Sequence, residues 1–186
     1  MSQFVRRIRD RASAAGFDAA CTEAVGRLLT VLAASKPNGR ILELGTGVGV
    51  GTAHLLAGMT ESATLTTVES DASLAAVARE EIADPRVDWV VNDGGRWLDA
   101  QVSAARTYDL IFADTWPGKY THLEQCLSLV ASGGLYLVDD LTPQPEWPTD
   151  HAAAVDGLVS ELAGLAGWQC CHLDIASGVM LCARIE

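Results

Sequence analysis

The chain is poor in basic charge. Its 186 residues include 13 lysine and arginine residues against 24 aspartate and glutamate residues, for a formal net charge of -11 at pH 7. Because nucleic-acid backbones are bound by basic surfaces, this balance argues against a nucleic-acid-binding protein. Long apolar runs are also missing: no stretch reaches the roughly 18 residues of a membrane span, and the N-terminus lacks the apolar core of a signal peptide. We therefore expect a cytoplasmic protein that binds no membrane.

Paired cysteines with metal-binding spacing are absent as well. The five cysteines form no CxxC pair, and their odd number predicts reduced thiols buried in a core: Cys21, Cys126, Cys170, Cys171 and Cys182. A length of 186 residues with 49% hydrophobic and 20% charged residues predicts one globular domain. Within it we expect N-terminal helices over residues 1–38 and an α/β core over residues 39–186.

A cluster of glycines follows the first predicted strand, which spans residues 40–44: Gly45, Gly47, Gly49 and Gly51. A buried strand, a tight turn and the start of a helix together form a loop where the backbone can approach a ligand closely. The dinucleotide fingerprint G-x-G-x-x-G requires a glycine at position 50, where this chain has Val50. The missing glycine, and the lack of a Tyr-x-x-x-Lys pair, argue against a nicotinamide-dependent oxidoreductase.

Glu43 lies inside that predicted strand, where a carboxylate is costly unless a cation meets it. S-adenosylmethionine carries an ammonium group and a positive sulfonium, which suit such a carboxylate. An acidic residue followed by G-x-G-x-G resembles the first motif of the class I S-adenosylmethionine-dependent methyltransferases. The resemblance implies that Glu43, Thr46 and the glycines bind this cofactor.

Strands and helices alternate along the chain, which predicts βαβ units and a parallel sheet. The last two predicted strands, 168–173 and 179–185, are joined by a short turn and must therefore be antiparallel. We predict a Rossmann-like, doubly wound, seven-stranded sheet that is mostly parallel, with an antiparallel last strand and helices on both faces. This arrangement is that of the class I methyltransferases, so the resemblance covers residues 18–186.

Carboxylates stand at the carboxyl ends of five successive predicted strands: Glu43, Glu69, Asp93, Asp114, Asp139 and Asp140. Ligands of open parallel sheets bind at these ends. Glu69, followed by Ser70, is placed to accept both ribose hydroxyls of a nucleoside. The pair Asp93-Gly94 matches the position that meets adenine in the methyltransferases, and Asp114 also faces the expected cofactor.

The segment Asp114-Thr-Trp-Pro-Gly-Lys119-Tyr120, together with Asp139-Asp140, looks like the metal-dependent O-methyltransferases of the catechol and caffeoyl-coenzyme A type. The resemblance implies that Asp114, Asp139 and Asp140 bind a divalent cation, for which hard oxygen ligands favour Mg²⁺. The metal would bind neighbouring hydroxyls of a small catechol-like or phenolic acceptor and lower the pKa of one of them. A base would take the proton, and the oxygen would attack the methyl group in line.

Two positions depart from the family pattern. The family lysine stands three residues after the first metal aspartate, where this chain has Pro117. Lys119, two residues later, reaches the site only if the loop is rearranged, and His122 is the other candidate base. Asp140 replaces the usual asparagine and adds a third carboxylate. A metal-independent methyltransferase and a catalytically idle cofactor-binding domain therefore stay open as alternatives.

The remaining expectations concern the surroundings of the site. Thr22-Glu23 occupies the place where the family brings an N-terminal helix over the methionine end of the cofactor. Trp116, Tyr120 and Trp147 are expected to wall a flat acceptor. Since the chain is shorter than usual family members in the parts that often make the dimer contact, the oligomeric state is open, with a homodimer favoured.

Overall fold

A computed structural model describes residues 2–14, 16–142 and 149–186 of the chain. Seven strands form one sheet: β1 (Arg40–Leu44), β2 (Thr64–Glu69), β3 (Val87–Val91), β4 (Tyr108–Ala113), β5 (Val130–Val138), β6 (Trp168–Leu173) and β7 (Val179–Arg184). Their spatial order is β3-β2-β1-β4-β5-β7-β6. Strands β1 to β5 pair in parallel, whereas β7 runs antiparallel to both β5 and β6. The predicted fold class is therefore confirmed.

The strand order places the candidate site. From β1 the chain moves outward through β2 to β3, and it then returns to the other side of β1 with β4. The connections on the two sides of this point leave the sheet in opposite directions, which opens a crevice at the carboxyl ends of β1 and β4. Residues that follow these two strands are thus brought together although about seventy positions separate them in the sequence.

Helices cover both faces of the sheet: α1 (Gln3–Ala14), α2 (Glu23–Ala34), α3 (Val50–Gly58), α4 (Ala72–Glu81), α5 (Gly94–Ser103), α6 (Leu123–Ser128) and α7 (Thr149–Ala163). Side chains of β1 alternate between the faces, as a pleated strand requires. Ile41 packs with α1, α2 and α3, whereas Leu42 and Leu44 pack with α5, α6 and α7. All three are fully buried, and each contributes roughly 1.5–3 kcal/mol through removal from water.

Two elements on the β4–β5 side of the crevice have an irregular backbone. Helix α6 begins only at Leu123 because His122 adopts a left-handed backbone with φ 55° and the chain turns before it. Strand β5 begins at Val130, which pairs with Tyr108 before the register shifts.

The prediction that all five cysteines are reduced and buried in the core is wrong. Cys170 and Cys182 form a disulfide between β6 and β7, where they lie directly opposite each other with Cα atoms 4.0 Å apart. Neighbouring positions of an antiparallel pair are close enough for such a contact. Cys21 and Cys126 are free and buried, but Cys171 is exposed.

Within the described ranges, no helix combines the length and the hydrophobicity needed to cross a membrane.

Candidate active site

The glycine loop brings the backbone of β1 against that of β4. Gly45, directly after β1, has φ 96°, and a Cβ atom at this position would lie 2.7 Å from the carbonyl oxygen of Asp114. Only glycine adopts this conformation readily and leaves room for the neighbouring strand end. The loop therefore joins the two sides of the crevice without a side chain between them.

A groove runs along this loop. Its first part is lined by loop and strand-end residues together with the segment that connects α1 to α2: Phe17, Ala19, Ala20, Cys21, Gly45, Thr46, Gly47, Gly51, Glu69 and Asp114, among others. A neighbouring recess is lined by Glu69, Ser70, Asp93, Gly94, Thr115 and Pro117, among others. The two parts meet at Gly45, Glu69 and Thr115. Gly49 instead packs against Ala78 and Ile82 at α4.

Glu69 is held at the centre of this groove by main-chain hydrogen bonds. The backbone N–H of Gly47 donates to its Oε2 at 2.8 Å, and that of Asp71 donates to its Oε1 at 3.0 Å. Oε1 also accepts a long hydrogen bond of 3.4 Å from the hydroxyl of Ser70, so Glu69 can accept two ligand hydroxyl groups once this serine turns away. At the recess, Asp93 caps α5 by accepting the backbone N–H of Arg96 at 2.9 Å.

Glu43 lies beneath the loop and not at its surface. The side chain is fully buried, and its Oε2 accepts hydrogen bonds from the hydroxyls of Thr52 at 2.5 Å and Thr67 at 2.6 Å. Among the residues that the structure describes, its Oε1 has no hydrogen-bond partner, and this oxygen lies where a Cβ on Gly51 would collide with it. Burial raises the pKa of Glu43 to about 7, against the lowering effect of the two hydroxyls. Gly51 lines the groove and has no side chain, so Oε1 lies just beneath the groove, and the contact between Glu43 and a ligand ammonium group stays a prediction.

An acidic cavity adjoins the groove. It is lined by Asp18, Ala19, Ala20, Cys21, Thr22, Asp114, Asp139, Asp140, Ala176 and Ser177. Four residues border both this cavity and the groove: Ala19, Ala20, Cys21 and Asp114. A ligand in the groove and a second molecule in the cavity would therefore meet beside them. Thr22, predicted to lie over the methionine end of the cofactor, lines this cavity beside the groove.

Lys119 lies buried beside two carboxylates that line the acidic cavity, and an irregular turn holds it there. Gly118 adopts φ 93°, and the backbone N–H of Lys119 donates to the carbonyl of Trp116 at 3.1 Å. The lysine side chain is only 5% exposed, and its Nζ lies 3.6 Å from Oδ1 of Asp114 and 3.8 Å from Oδ2 of Asp140. The rearranged loop that the sequence required for this contact is thus present.

The three predicted metal ligands do not converge on one point. Nζ of Lys119 also donates to the main-chain carbonyl of Asp139 at 2.9 Å. The carboxylate Oδ1 of Asp139 accepts the hydroxyl of Ser177 at 2.5 Å and the backbone N–H of Asp140 at 2.7 Å. In the part of the chain that the structure describes, no three acidic, histidine or cysteine side chains are arranged to hold a metal ion. The residues present therefore do not fit the predicted divalent cation, because an ammonium group stands between its ligands.

Burial perturbs the acids of this cavity. It raises the pKa of Asp114 to about 8, although the positive charge of Lys119 opposes the shift and the negative charges of Asp140 and Asp139 add to it. Burial also raises the pKa of Asp139, while the hydrogen bond from Ser177 lowers it. A carboxyl group at Asp114 can therefore exchange a proton near neutral pH.

His122 is not placed to act as a base. Its ring lies against α5, where a Cβ on Gly95 would collide with it, and its buried Nδ1 has no hydrogen-bond partner among the described residues. Trp116 and Tyr120 form an edge-to-face pair with ring centroids 4.9 Å apart, and Trp116 is 52% exposed. Trp147, predicted with them as a wall for the acceptor, lies outside the described residues.

With this geometry established, comparison with known proteins identifies the family. The sequence model of a family described as a methyltransferase domain matches residues 42–141, more than half of the chain. The chain belongs to this methyltransferase family. The resemblance predicted from the glycine loop is thereby confirmed at the level of the family.

Relatives and solved structures agree with this assignment. The methyltransferase is 30% identical over 139 residues to a Mycobacterium ulcerans protein named "Putative O-methyltransferase", covering 72% of this chain and 61% of that protein. The chain thus spans about three-fifths of the length of this curated relative. Its fold matches the O-methyltransferase TomG of Streptomyces achromogenes in complex with SAM, with TM-score 0.85, 20% identity and coverage of 100% of this chain and 91% of the other. It matches the Bacillus cereus O-methyltransferase in complex with SAH equally well, with TM-score 0.85, 18% identity and coverage of 99% and 91%.

Sequence reasoning missed two parts of the methyltransferase site. Phe17 to Cys21 line the groove or the cavity, yet this segment has no motif that could have revealed it. Ser177, which bonds to Asp139, could have been found. It lies in the turn before β7, and the start of an antiparallel β7 must lie beside the carboxyl end of β5.

Proposed function

We propose that this methyltransferase moves the methyl group of S-adenosylmethionine to an oxygen of a small hydroxylated acceptor. The observation that carries the proposal is that Asp114 and Cys21 border both the groove along the glycine loop and the acidic cavity. A donor in the groove and an acceptor in the cavity would meet at these residues. The names of the relatives, which include O-methyltransferases, support oxygen as the atom that receives the methyl group.

The groove has features suited to each part of the donor. Glu69 would accept the two ribose hydroxyls, and the recess at Ser70, Asp93 and Gly94 would hold the adenine. The methionine part would lie against Thr46 and Gly47, under the segment between α1 and α2. Anionic side chains along the groove favour a donor with a positive sulfonium and ammonium group.

In the proposed reaction the acceptor hydroxyl loses its proton to the carboxylate of Asp114. The acceptor oxygen forms a bond to the methyl carbon while the bond from that carbon to sulfur breaks. The sulfur keeps the electron pair, and S-adenosylhomocysteine leaves as an uncharged thioether. Because the sulfonium is already activated, most of the rate enhancement comes from positioning and from charges placed around the reacting atoms.

A flat, phenolic or catechol-like acceptor fits the wall beside the cavity. Trp116 presents a half-exposed ring next to Tyr120, whose pKa is raised to about 12 by burial and by the nearby charge of Asp140. At this pKa Tyr120 stays an uncharged hydroxyl, whose oxygen lies 3.2 Å from Nε2 of His151; when that nitrogen carries the hydrogen and donates it, the O–H of Tyr120 can donate to an acceptor oxygen. Aromatic walls of this kind favour flat ligands.

Two measurements test the proposal. Calorimetry with S-adenosylhomocysteine and with NAD⁺ should show binding of the first alone, and tight NAD⁺ binding would contradict the cofactor assignment. A screen of catechols and other phenols with radiolabelled S-adenosylmethionine should then detect methyl transfer. Asp114→Asn should abolish the transfer, whereas Asp156→Asn, on the exposed face of α7, should leave it unchanged. Cofactor binding without transfer to any phenol would favour an idle binding domain.

A further inference from the structure

We propose that the ammonium group of Lys119 takes the place of a divalent cation in this chain, so that methyl transfer proceeds without a metal. Lys119 would supply the fixed positive charge that stabilises the acceptor oxygen as it loses its proton. The inference rests on the proposed function, because it concerns how that reaction is assisted. It is carried by the position, burial and partners of one side chain.

The position of Nζ is the first argument. It lies 3.6 Å from Oδ1 of Asp114, 3.8 Å from Oδ2 of Asp140 and 2.9 Å from the main-chain carbonyl of Asp139. An ammonium group has three N–H donors and can serve three such oxygens together. These are the three residues that the family resemblance assigns to the metal. A divalent ion bound by the carboxylates of Asp114 and Asp140 would lie next to this buried positive charge and be repelled by it.

The partners of Asp139 are the second argument. Its Oδ1 accepts both the hydroxyl of Ser177 and the backbone N–H of Asp140. Two donors on this oxygen compete with a metal for its lone pairs, which a hard cation would need as a ligand. The lysine avoids this competition because it binds the main-chain carbonyl of Asp139 and leaves the carboxylate to its hydrogen bonds.

The third argument is that Lys119 cannot leave easily. Its turn is closed by hydrogen bonds from the backbone N–H of Gly118 to Thr121 at 2.7 Å and from the hydroxyl of Tyr136 to Gly118 at 2.6 Å. Removing the ammonium group from its buried position would leave Asp114 without the only lysine or arginine that the ion pairs of the described residues assign to it. Breaking one partner from a buried ion pair is strongly destabilising. A metal would have to overcome this loss in order to bind.

The same charge can assist the reaction. As the acceptor proton passes to Asp114 and the oxygen begins to attack the methyl carbon, negative charge develops on that oxygen. A preorganised cation beside it stabilises the transition state without moving. A metal acts on the same oxygen as a Lewis acid, so the lysine supplies the electrostatic part of that effect from within the chain.

The wild-type protein gives the first test. Calorimetric titration with Mg²⁺ and with Mn²⁺, in the presence of S-adenosylhomocysteine, should show no binding in the cavity. Dialysis against EDTA should leave the rate of methyl transfer unchanged, and added Mg²⁺ should not raise it. Binding of either ion at the aspartates, or loss of transfer in EDTA that Mg²⁺ restores, would overturn the proposal.

Substitution of the lysine gives the second test. Lys119→Ala should lower the rate of metal-free transfer by about a hundredfold or more, the usual effect of removing one fixed electrostatic group. It should also gain Mg²⁺ and Mn²⁺ binding by calorimetry, and Asp140→Ala in the same background should remove that binding. Lys36→Ala is the matched control, since this other lysine of the chain donates to the carbonyl of Gly133 at the surface and should change neither property.

The outcomes separate this inference from the proposed function. If no acceptor is methylated, the titrations of the wild-type protein and of Lys119→Ala still decide whether the lysine excludes a cation. A folded Lys119→Ala protein that binds no divalent ion would overturn the inference even where methyl transfer is found. If that variant does not fold, the wild-type titration and the EDTA experiment remain decisive.

Discussion

The two sides of the crevice hold their carboxylates in different ways. On the side of β2 and β3, Glu69 accepts the backbone N–H groups of Gly47 in the glycine loop and of Asp71 after β2, and Asp93 accepts that of Arg96 in the first turn of α5. On the side of β4 and β5, Asp114 and Asp140 are gathered around the buried ammonium group of Lys119. A carboxylate fixed by the main chain needs no cation, whereas crowded carboxylates require one. The first side is thus suited to neutral hydroxyls and the second to a reaction in which charge moves.

Burial raises the pKa of three carboxyl groups at or below the β4–β5 side of the crevice. Asp114 is desolvated enough to raise its pKa to about 8, and the pKa of Asp139 is raised for the same reason. Glu43, fully buried beneath the loop that joins the two sides, has a pKa raised to about 7. Perturbed carboxyl groups therefore collect where the donor and the acceptor are expected to meet, which is typical of functional sites.

The largest effect is expected where the two sides touch. In Gly45→Ala, the alanine would have to adopt φ 96°, and its Cβ would lie 2.7 Å from the carbonyl oxygen of Asp114. Backbone strain and overpacking together should lower the free energy of unfolding by about 3 kcal/mol, measured by urea denaturation. Gly157→Ala, in α7 with no atom within 4 Å of the new Cβ, should instead raise it by roughly 0.5–1 kcal/mol. Equal effects at both positions would show that the contact between the strand ends is not tight.

The affinity for S-adenosylhomocysteine tests whether the carboxylates on the two sides of the crevice have different roles. Glu69→Ala removes the acceptor of both ribose hydroxyls, and loss of two hydrogen bonds to a charged group should weaken S-adenosylhomocysteine binding about a hundredfold. Asp140→Asn, on the other side of the crevice, should leave this affinity unchanged by calorimetry. A similar loss from both variants would mean that the two sides do not divide donor and acceptor as proposed.

Glu43→Gln tests the buried carboxyl group between the two sides. The folded-state pKa, about 7, is above the ordinary value of 4.5. The favourable contribution of the protonated group is therefore complete below pH 4.5 and is lost as the pH rises through 7. Without ligand, the free energy of unfolding of Glu43→Gln at pH 8 should exceed that of the wild type by about 2 kcal/mol.

The pH dependence is the decisive part of that measurement. The advantage of Glu43→Gln in urea denaturation should disappear near pH 4.5, where the wild-type carboxyl group is protonated as well. A stability difference that does not change with pH would show that Glu43 is not the group that ionises.

The smallest effect is expected at the start of α2, which lies over the acidic cavity. Thr22 caps this helix, since its hydroxyl accepts the backbone N–H of Val25 at 3.3 Å. Thr22→Ala should lower the free energy of unfolding by about 1 kcal/mol, whereas Thr22→Ser should retain the cap. Because Thr22 lines the cavity and not the groove, neither change should alter S-adenosylhomocysteine affinity. A weaker affinity in both variants would place the donor nearer to this helix.

The sequence predicted the side of the crevice near β1 and β2 well. The spacing of Gly45, Gly47 and Gly51 indicated a loop open to a ligand, and the carboxylate at Glu69 followed its strand as expected. These features depend on neighbours in the chain: a strand, a turn and a helix start, each with local signals. The prediction was weaker for the β4–β5 side, where positive φ values at Gly118 and His122 redirect the chain.

Local sequence therefore determined the strands, their alternation with helices, the glycine loop and the methyltransferase family. Only the tertiary structure decided that Glu43 lies below Gly51, that His122 faces α5 and that the ammonium group of Lys119 stands between Asp114 and Asp140. The physical reason is that backbone hydrogen bonding and hydrophobic periodicity act over a few residues, whereas burial and charge pairing depend on chain segments that meet only in the folded sheet.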